Sequence, residues 1–291
     1  SGPFGDRLRI LVDRLNTRPL LDLVETYRPD VIGHTHFLSA EVLGHPRKGI
    51  KGTPQAVIVT DFDVHRFWAL PGMDAYFVAR EENRVHLAAL GIPLGQSRVT
   101  GIPIDPAFAE KPDPTFARRE RIPPGRLLLV LGGGFGVGPV EALLQALWQE
   151  RPKASIVVVA GRNEILRRRL ARKASSAPVP TRILGFTREM RQWMACATLA
   201  VTKPGGLTSS EALAVGLPIV VANPIPGQET RNASMLYEAG AALCGENPLT
   251  LGFRISRLLS DASRLAAMRR AAEALGRPRA AEDVARALET I

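Results

Sequence analysis

The sequence predicts an α/β protein made of two Rossmann-like domains with parallel sheets. Short Val- and Ile-rich runs, each followed by a turn and an amphipathic stretch, recur along the whole chain, the pattern of parallel βα units. These runs fall into two groups separated by a proline-dense segment. With 291 residues, 45% of them hydrophobic, the chain is long enough to bury two cores.

The first group is "DVIGH", "AVIVTD" and "AYFVA". Ahead of it, "SGPFG" and the amphipathic "DRLRILVDRLNTRPLLDLVETYRPD" stand where a strand and glycine turn would ordinarily begin such a domain, so the first strand is expected to be missing and the chain to be a fragment. Pro103, Pro106, Pro112, Pro114, Pro123 and Pro124 follow, in a stretch with little apolar periodicity that reads as a linker. The second group is "RLLLVLGGG", "SIVVVAG", "TRILG", "TLAVTK" and "LPIVVAN", and the end of the chain is helical with a break at Gly276 and Pro278. The expected division is an incomplete first domain over 1–110, a linker over 111–126, a second domain over 127–275, and a C-terminal helix over 276–291 able to return to the first domain.

Composition narrows the function. Residues 1–110 hold 12 Lys+Arg against 13 Asp+Glu, while residues 111–291 hold 26 against 15, so the net charge of +10 belongs to the second half. Few aromatics interleave with those basic residues, which argues against a single-strand nucleic-acid binder and leaves a solvated basic face or an anionic membrane surface as the partner. Cys196 and Cys244 lack metal-ligand spacing and suit a reducing cytosol. No run approaches the roughly 18 apolar residues of a spanning helix, so a cytoplasmic protein with peripheral membrane contact is expected.

Three glycine- or proline-marked segments carry the chemistry. In "LLLVLGGGFGVGPVEALLQAL", Gly132, Gly133, Gly134, Gly136 and Gly138 lie between a strand and a helix, where bare backbone lets amides approach a phosphate. No Lys-Ser/Thr follows, as a P-loop needs, and no register gives the dinucleotide G-x-G-x-x-G. In "VTKPGGLTSSEALAVG", Gly205 and Gly206 turn the chain into a helix whose first-turn amides form an anion site. Glu211 follows Thr208 by three residues, about 5 Å along the same face. That offset suits a carboxylate accepting from a ribose diol beyond a pyrophosphate; a first-turn acid offsetting the dipole is the plainer alternative. In "NPIPGQETRN", Gln228, Glu229 and Asn232 are placed either to hold sugar hydroxyls or to cap a helix.

With these residues in place the chain resembles the glycosyltransferases of the monogalactosyldiacylglycerol synthase and processive diacylglycerol glucosyltransferase type. The similarity runs through "RPDVIGHTHFLSAEVL", "VIVTDFDVHRFW", "VTGIPIDPAF", "LGGGFGVGP", "VTKPGGLTSSEAL" and "NPIPGQE", in order over effectively the whole chain. The resemblance implies a GT-B fold with an interdomain cleft and an inverting transfer of galactose or glucose from a UDP-sugar to diacylglycerol, with no metal or other cofactor. It implies a donor site of Gly133, Gly134, Phe135, Gly136, Phe186, Lys203, Gly205, Gly206, Leu207, Thr208, Glu211, Gln228 and Glu229. Within that set Glu211 takes the ribose, Gly205, Gly206 and Thr208 the pyrophosphate, the Phe186 backbone the uracil, and Gln228 with Glu229 the hexose.

The chain departs from the family at its front, where a Gly-Gly-His type turn bearing a candidate base is absent. Asp61 and His65, after the strand in "VIVTDFDVHRFW", are the remaining candidates for acceptor handling. Phe67, Trp68 and Leu70 beside them suit either lipid contact or the core. Residues 1–291 alone are expected to bind UDP yet transfer slowly until an upstream segment is restored. Three rivals remain: a metal centre at His34, His36, Asp61, Asp63 and His65; an NADP-type reductase, because "VVVAGRN" ends a strand with Arg162; and a nucleotide-sugar-binding remnant without activity.

Overall fold

A computed structural model describes residues 18–44, 50–132, 140–245 and 247–291. The chain divides into two compact units, residues 1–102 with 282–291, and residues 103–281.

The first unit opens with helix α1 (18–27), followed by β1 (Ile32–His34), α2 (Phe37–Leu43), β2 (Gln55–Ile58), β3 (Ala75–Val78), α3 (Glu81–Ala89) and β4 (Ser97–Val99). The four strands form a parallel sheet in the order β1-β2-β3-β4. Every residue of β2 and β3 is buried, as strands covered on both faces require. Val57, Val59, Tyr76 and Val78 pack on one face with Ala40, Trp68 and Leu87. Ala56, Ile58, Ala75 and Phe77 pack on the other, and there Val284, Ala287 and Leu288 of the chain's last helix cover them.

The second unit contains α4 (Phe116–Arg119), β5 (Arg126–Leu131), α5 (Val140–Glu150), β6 (Ala154–Val159), α6 (Glu164–Ala174), β7 (Thr181–Leu184), α7 (Met190–Cys196), β8 (Leu199–Thr202), α8 (Gly206–Ala214), β9 (Ile219–Val221), α9 (Gln228–Glu238), β10 (Ala242–Cys244), α10 (Pro248–Ser260) and α11 (Ala262–Leu275). The last helix, α12 (Ala280–Leu288), begins in it and ends in the first unit. Its sheet is parallel in the order β10-β9-β8-β5-β6-β7, the doubly wound arrangement in which strand order reverses between β5 and β8. The proline-rich stretch is packed onto this unit: Phe116 is fully buried and meets Trp193 edge-on at 5.0 Å, and the Asp113 amide donates to Gln192 Oε1 at 2.9 Å.

Two glycines bring helices close enough to fix the ligand-facing edge. A Cβ on Gly252 would stand 2.7 Å from the Ala146 carbonyl oxygen, so α10 lies directly on α5. A Cβ on Gly276 would stand 2.6 Å from the Leu213 carbonyl oxygen, so the end of α11 braces the end of α8.

Candidate donor site

In the second unit, the turn after β8 sits beside the reversal of strand order, at the carboxyl edge where open parallel sheets bind ligands. Gly133, Gly134, Phe135 and Gly136 of the glycine segment after β5 lie outside the described residues.

Gly205 is the N-cap of α8, with φ −68° and ψ 145° and no side-chain cap. The first intrahelical bond runs from the Ser209 amide to the Gly205 carbonyl at 3.0 Å, so the amides of Gly206, Leu207 and Thr208 precede it and face the helix's positive end. A Cβ added at Gly205 would meet no atom of the described residues within 4 Å. Among the described residues nothing crowds the space in front of this turn. Lys203 and Thr208 are half-buried around this turn, and Leu207 is exposed.

Glu211 lies in α8 three residues beyond Thr208 and is half-buried. Burial pushes its carboxyl up to about 7, and the Asp105 carboxylate adds to the rise. Asp105 is fixed by capping the short helical turn Pro106–Ala109, where it accepts from the Ala107 amide at 2.9 Å, and that turn packs against α8. The spacing within α8 is a property of the sequence, whereas the second carboxylate arrives from about a hundred residues upstream.

The "NPIPGQETRN" loop enters α9 through Gly227, whose φ of +104° and ψ of −111° belong to glycine. Gln228 is exposed and Glu229 half-buried; one Glu229 carboxylate oxygen accepts from the Ile225 amide at 2.7 Å and closes the loop. Asn232, expected beside them, is instead buried at 1% exposure on the inner face of α9 with Ala233 and Leu236. Phe186 follows β7 and is 60% exposed, with the Arg162 guanidinium 5.3 Å from its ring centroid.

In the first unit, Asp61 and His65 follow β2 at the carboxyl edge of its sheet, and both are half-buried. The His65 ring packs edge-on to Phe37 at 5.5 Å and Phe67 at 5.6 Å. Phe67 is 65% exposed, while Trp68 is 1% exposed and belongs to the core. His34 has both ring nitrogens engaged, Nδ1 with Ser39 at 3.1 Å and Nε2 with Gln55 at 3.0 Å, and burial lowers its pKa. His36 caps α2, its Nδ1 accepting from the Leu38 amide. Among the described residues no three His, Cys, Asp or Glu side chains gather in a group that could hold a metal ion.

Two parallel α/β units, one doubly wound with an uncapped helix terminus and an acid one turn along at its switch point, make up an architecture of the GT-B kind. The family model for monogalactosyldiacylglycerol (MGDG) synthase matches residues 8–104, and that for the glycosyltransferase family 28 C-terminal domain matches residues 127–284. A processive diacylglycerol beta-glucosyltransferase of Bacillus thuringiensis is 31% identical over 265 residues, which is 90% of this chain and 68% of that protein. Among solved structures, the UDP-GlcNAc 2-epimerase of Neisseria meningitidis bound to UDP-GlcNAc aligns with a TM-score of 0.71 at 17% identity, over 94% of this chain and 80% of that one. MurG of Acinetobacter baumannii aligns with a TM-score of 0.64 at 17% identity, over 93% and 77%. The chain therefore belongs to the family 28 glycosyltransferases, on the branch of the MGDG synthases and diacylglycerol glucosyltransferases, and its fold is GT-B.

Proposed function

We propose that this protein transfers a hexose from a UDP-sugar to the free hydroxyl of diacylglycerol, with inversion at the anomeric carbon. The observation that carries this reading is the open, side-chain-free N-terminus of α8 with Glu211 one turn along, at the switch point of the second unit. The similar Bacillus protein is named a diacylglycerol beta-glucosyltransferase, and a β-linked product from an α-linked UDP-sugar requires inversion. That name also favours glucose over galactose as the sugar.

In this mechanism the amides of Gly206, Leu207 and Thr208 and the charge of Lys203 receive the diphosphate, and they stabilise negative charge as UDP leaves. Glu211 accepts from the ribose diol and so fixes the phosphates relative to the helix terminus. Gln228 and Glu229 orient the hexose. Either His65 or Asp61 takes the proton of the acceptor hydroxyl as its oxygen attacks the anomeric carbon from the face opposite UDP.

A panel of UDP-glucose, UDP-galactose and UDP-N-acetylglucosamine, incubated with the protein and diacylglycerol vesicles, tests the proposal. Glycolipid formed from UDP-glucose, with a β linkage by NMR, is the expected result. UDP binding without transfer from any of the three sugars would leave a nucleotide-sugar-binding protein and refute the enzymatic reading.

A further inference from the structure

We propose that Arg162, held against Phe186, reads the base of the donor nucleotide and selects uracil over cytosine. The inference rests on the donor reading above and adds a specificity-determining side chain to it.

Arg162 follows β6 and Phe186 follows β7, adjacent strands joined in register by Val159 and Leu184. Their two loops lie side by side: a Cβ on Gly185 would stand at van der Waals distance, 3.7 Å, from the Gly161 carbonyl oxygen, and Gly161 turns the chain with a φ of +62°. The result is a guanidinium lying over an exposed phenyl ring at the carboxyl edge, the same edge that carries the α8 terminus.

Four basic side chains of α6 are instead engaged by carboxylates within the protein. Arg167 and Arg168 pair with Glu164, and Arg169 and Lys173 pair with Glu141. Among the described residues, no carboxylate forms an ion pair with Arg162; its ordered contact is the Phe186 ring. A cation that is positioned but uncompensated favours an electron-rich partner brought by a ligand.

The distance from the phosphate turn identifies which part of the ligand that is. In the order β8-β5-β6-β7, Arg162 is two strand spacings from β8 and Phe186 three, about 10 and 14 Å respectively. A diphosphate on α8 therefore sends its base, rather than its phosphates, toward this pair. A guanidinium has only donors, so it pairs with a base edge carrying a carbonyl and is mismatched to one carrying an amino group. Uracil has the O4 acceptor of thymine, where cytosine has the N4 donor. The arginine thus rewards UDP and penalises CDP.

The experiment is calorimetry of the 291-residue chain and its Arg162→Met variant with UDP, CDP and inorganic pyrophosphate, alongside a thermal melt. Methionine keeps an alkyl contact with Phe186 and removes the donors, and the exposed position predicts an unchanged melt. The preference for UDP over CDP should fall by at least about fivefold, from the value of a good side-chain-to-base contact, while pyrophosphate affinity stays the same. An unchanged UDP-to-CDP ratio would overturn the assignment and leave the donor site standing. A loss of pyrophosphate affinity as large as that of UDP would place Arg162 on the phosphates and equally overturn it. Wild-type protein that binds neither UDP nor pyrophosphate would remove the donor reading and this inference together.

Discussion

Replacing Gly205 by valine separates the cost to the fold from the cost to the ligand. The residue has φ −68° and ψ 145°, extended backbone that a β-branched residue adopts without strain, and its Cβ would meet no atom of the described residues within 4 Å. Gly205 supplies no side-chain cap, so the folded state loses only the N-cap preference of glycine over an aliphatic residue, at most about 1 kcal/mol. The open space in front of the α8 amides would instead be filled by two methyl groups. A diphosphate displaced from two of those amides loses two hydrogen bonds to a charged group, each worth about 1.5–3 kcal/mol, so UDP affinity should drop by about 3–6 kcal/mol, a factor of roughly 10² to 10⁴. Calorimetry with UDP and a thermal melt on the same preparation measure both quantities. A variant that melts within a few degrees of wild type and binds UDP normally would show that the diphosphate does not sit on this helix terminus.

Glu211→Ala should weaken UDP binding by about 1.5–3 kcal/mol through loss of the ribose contact, as read by the same titration. Because burial and Asp105 raise the Glu211 carboxyl to about 7 from 4.5, the folded protein holds a proton there that the unfolded chain has released. Its contribution to stability is therefore present below pH 4.5 and declines as pH rises through about 7, and Glu211→Gln should flatten that slope in melts between pH 5 and 8. Affinity for UDP-glucose, whose phosphates do not titrate in this range, should rise as Glu211 ionises, and Asp105→Asn should move that midpoint downward. Gly252→Ala should cost about 1–3 kcal/mol in chemical denaturation, since its Cβ would stand 2.7 Å from the Ala146 carbonyl oxygen and force α10 away from α5. No helix among the described residues is long and apolar enough to cross a membrane. The basic second half should bind anionic vesicles in a salt-sensitive way; equal partition onto neutral vesicles would exclude that charge from the contact.

The amino-acid sequence by itself determined what depends on local periodicity. Buried parallel strands are continuous apolar runs, so β2, β3, β5, β6, β8 and β9 are legible; the half-buried β1 and β7 show in the shorter runs "DVIGH" and "TRILG", and a helical rise of 1.5 Å per residue places Glu211 one turn past Thr208 before any fold is known. Two edge strands are not legible: in β4, Arg98 and Val99 face solvent and leave no apolar run, and β10 is the half-buried Ala242–Cys244 with no such run around it. Tertiary structure alone decided everything that joins distant segments. Strand order put β8 beside β5 and so created the switch point, and packing of the Pro106–Ala109 turn on α8 brought Asp105 to Glu211. It committed His34 to Ser39 and Gln55, where the spacing with His36 suggests a metal ligand, turned Asn232 inward, and carried residues 282–291 to the first unit. It also laid Arg162 over Phe186. A one-dimensional pattern reports which face of its own element a residue occupies; which other element that face meets is set by the global packing of apolar surface, and the charges on those elements follow it.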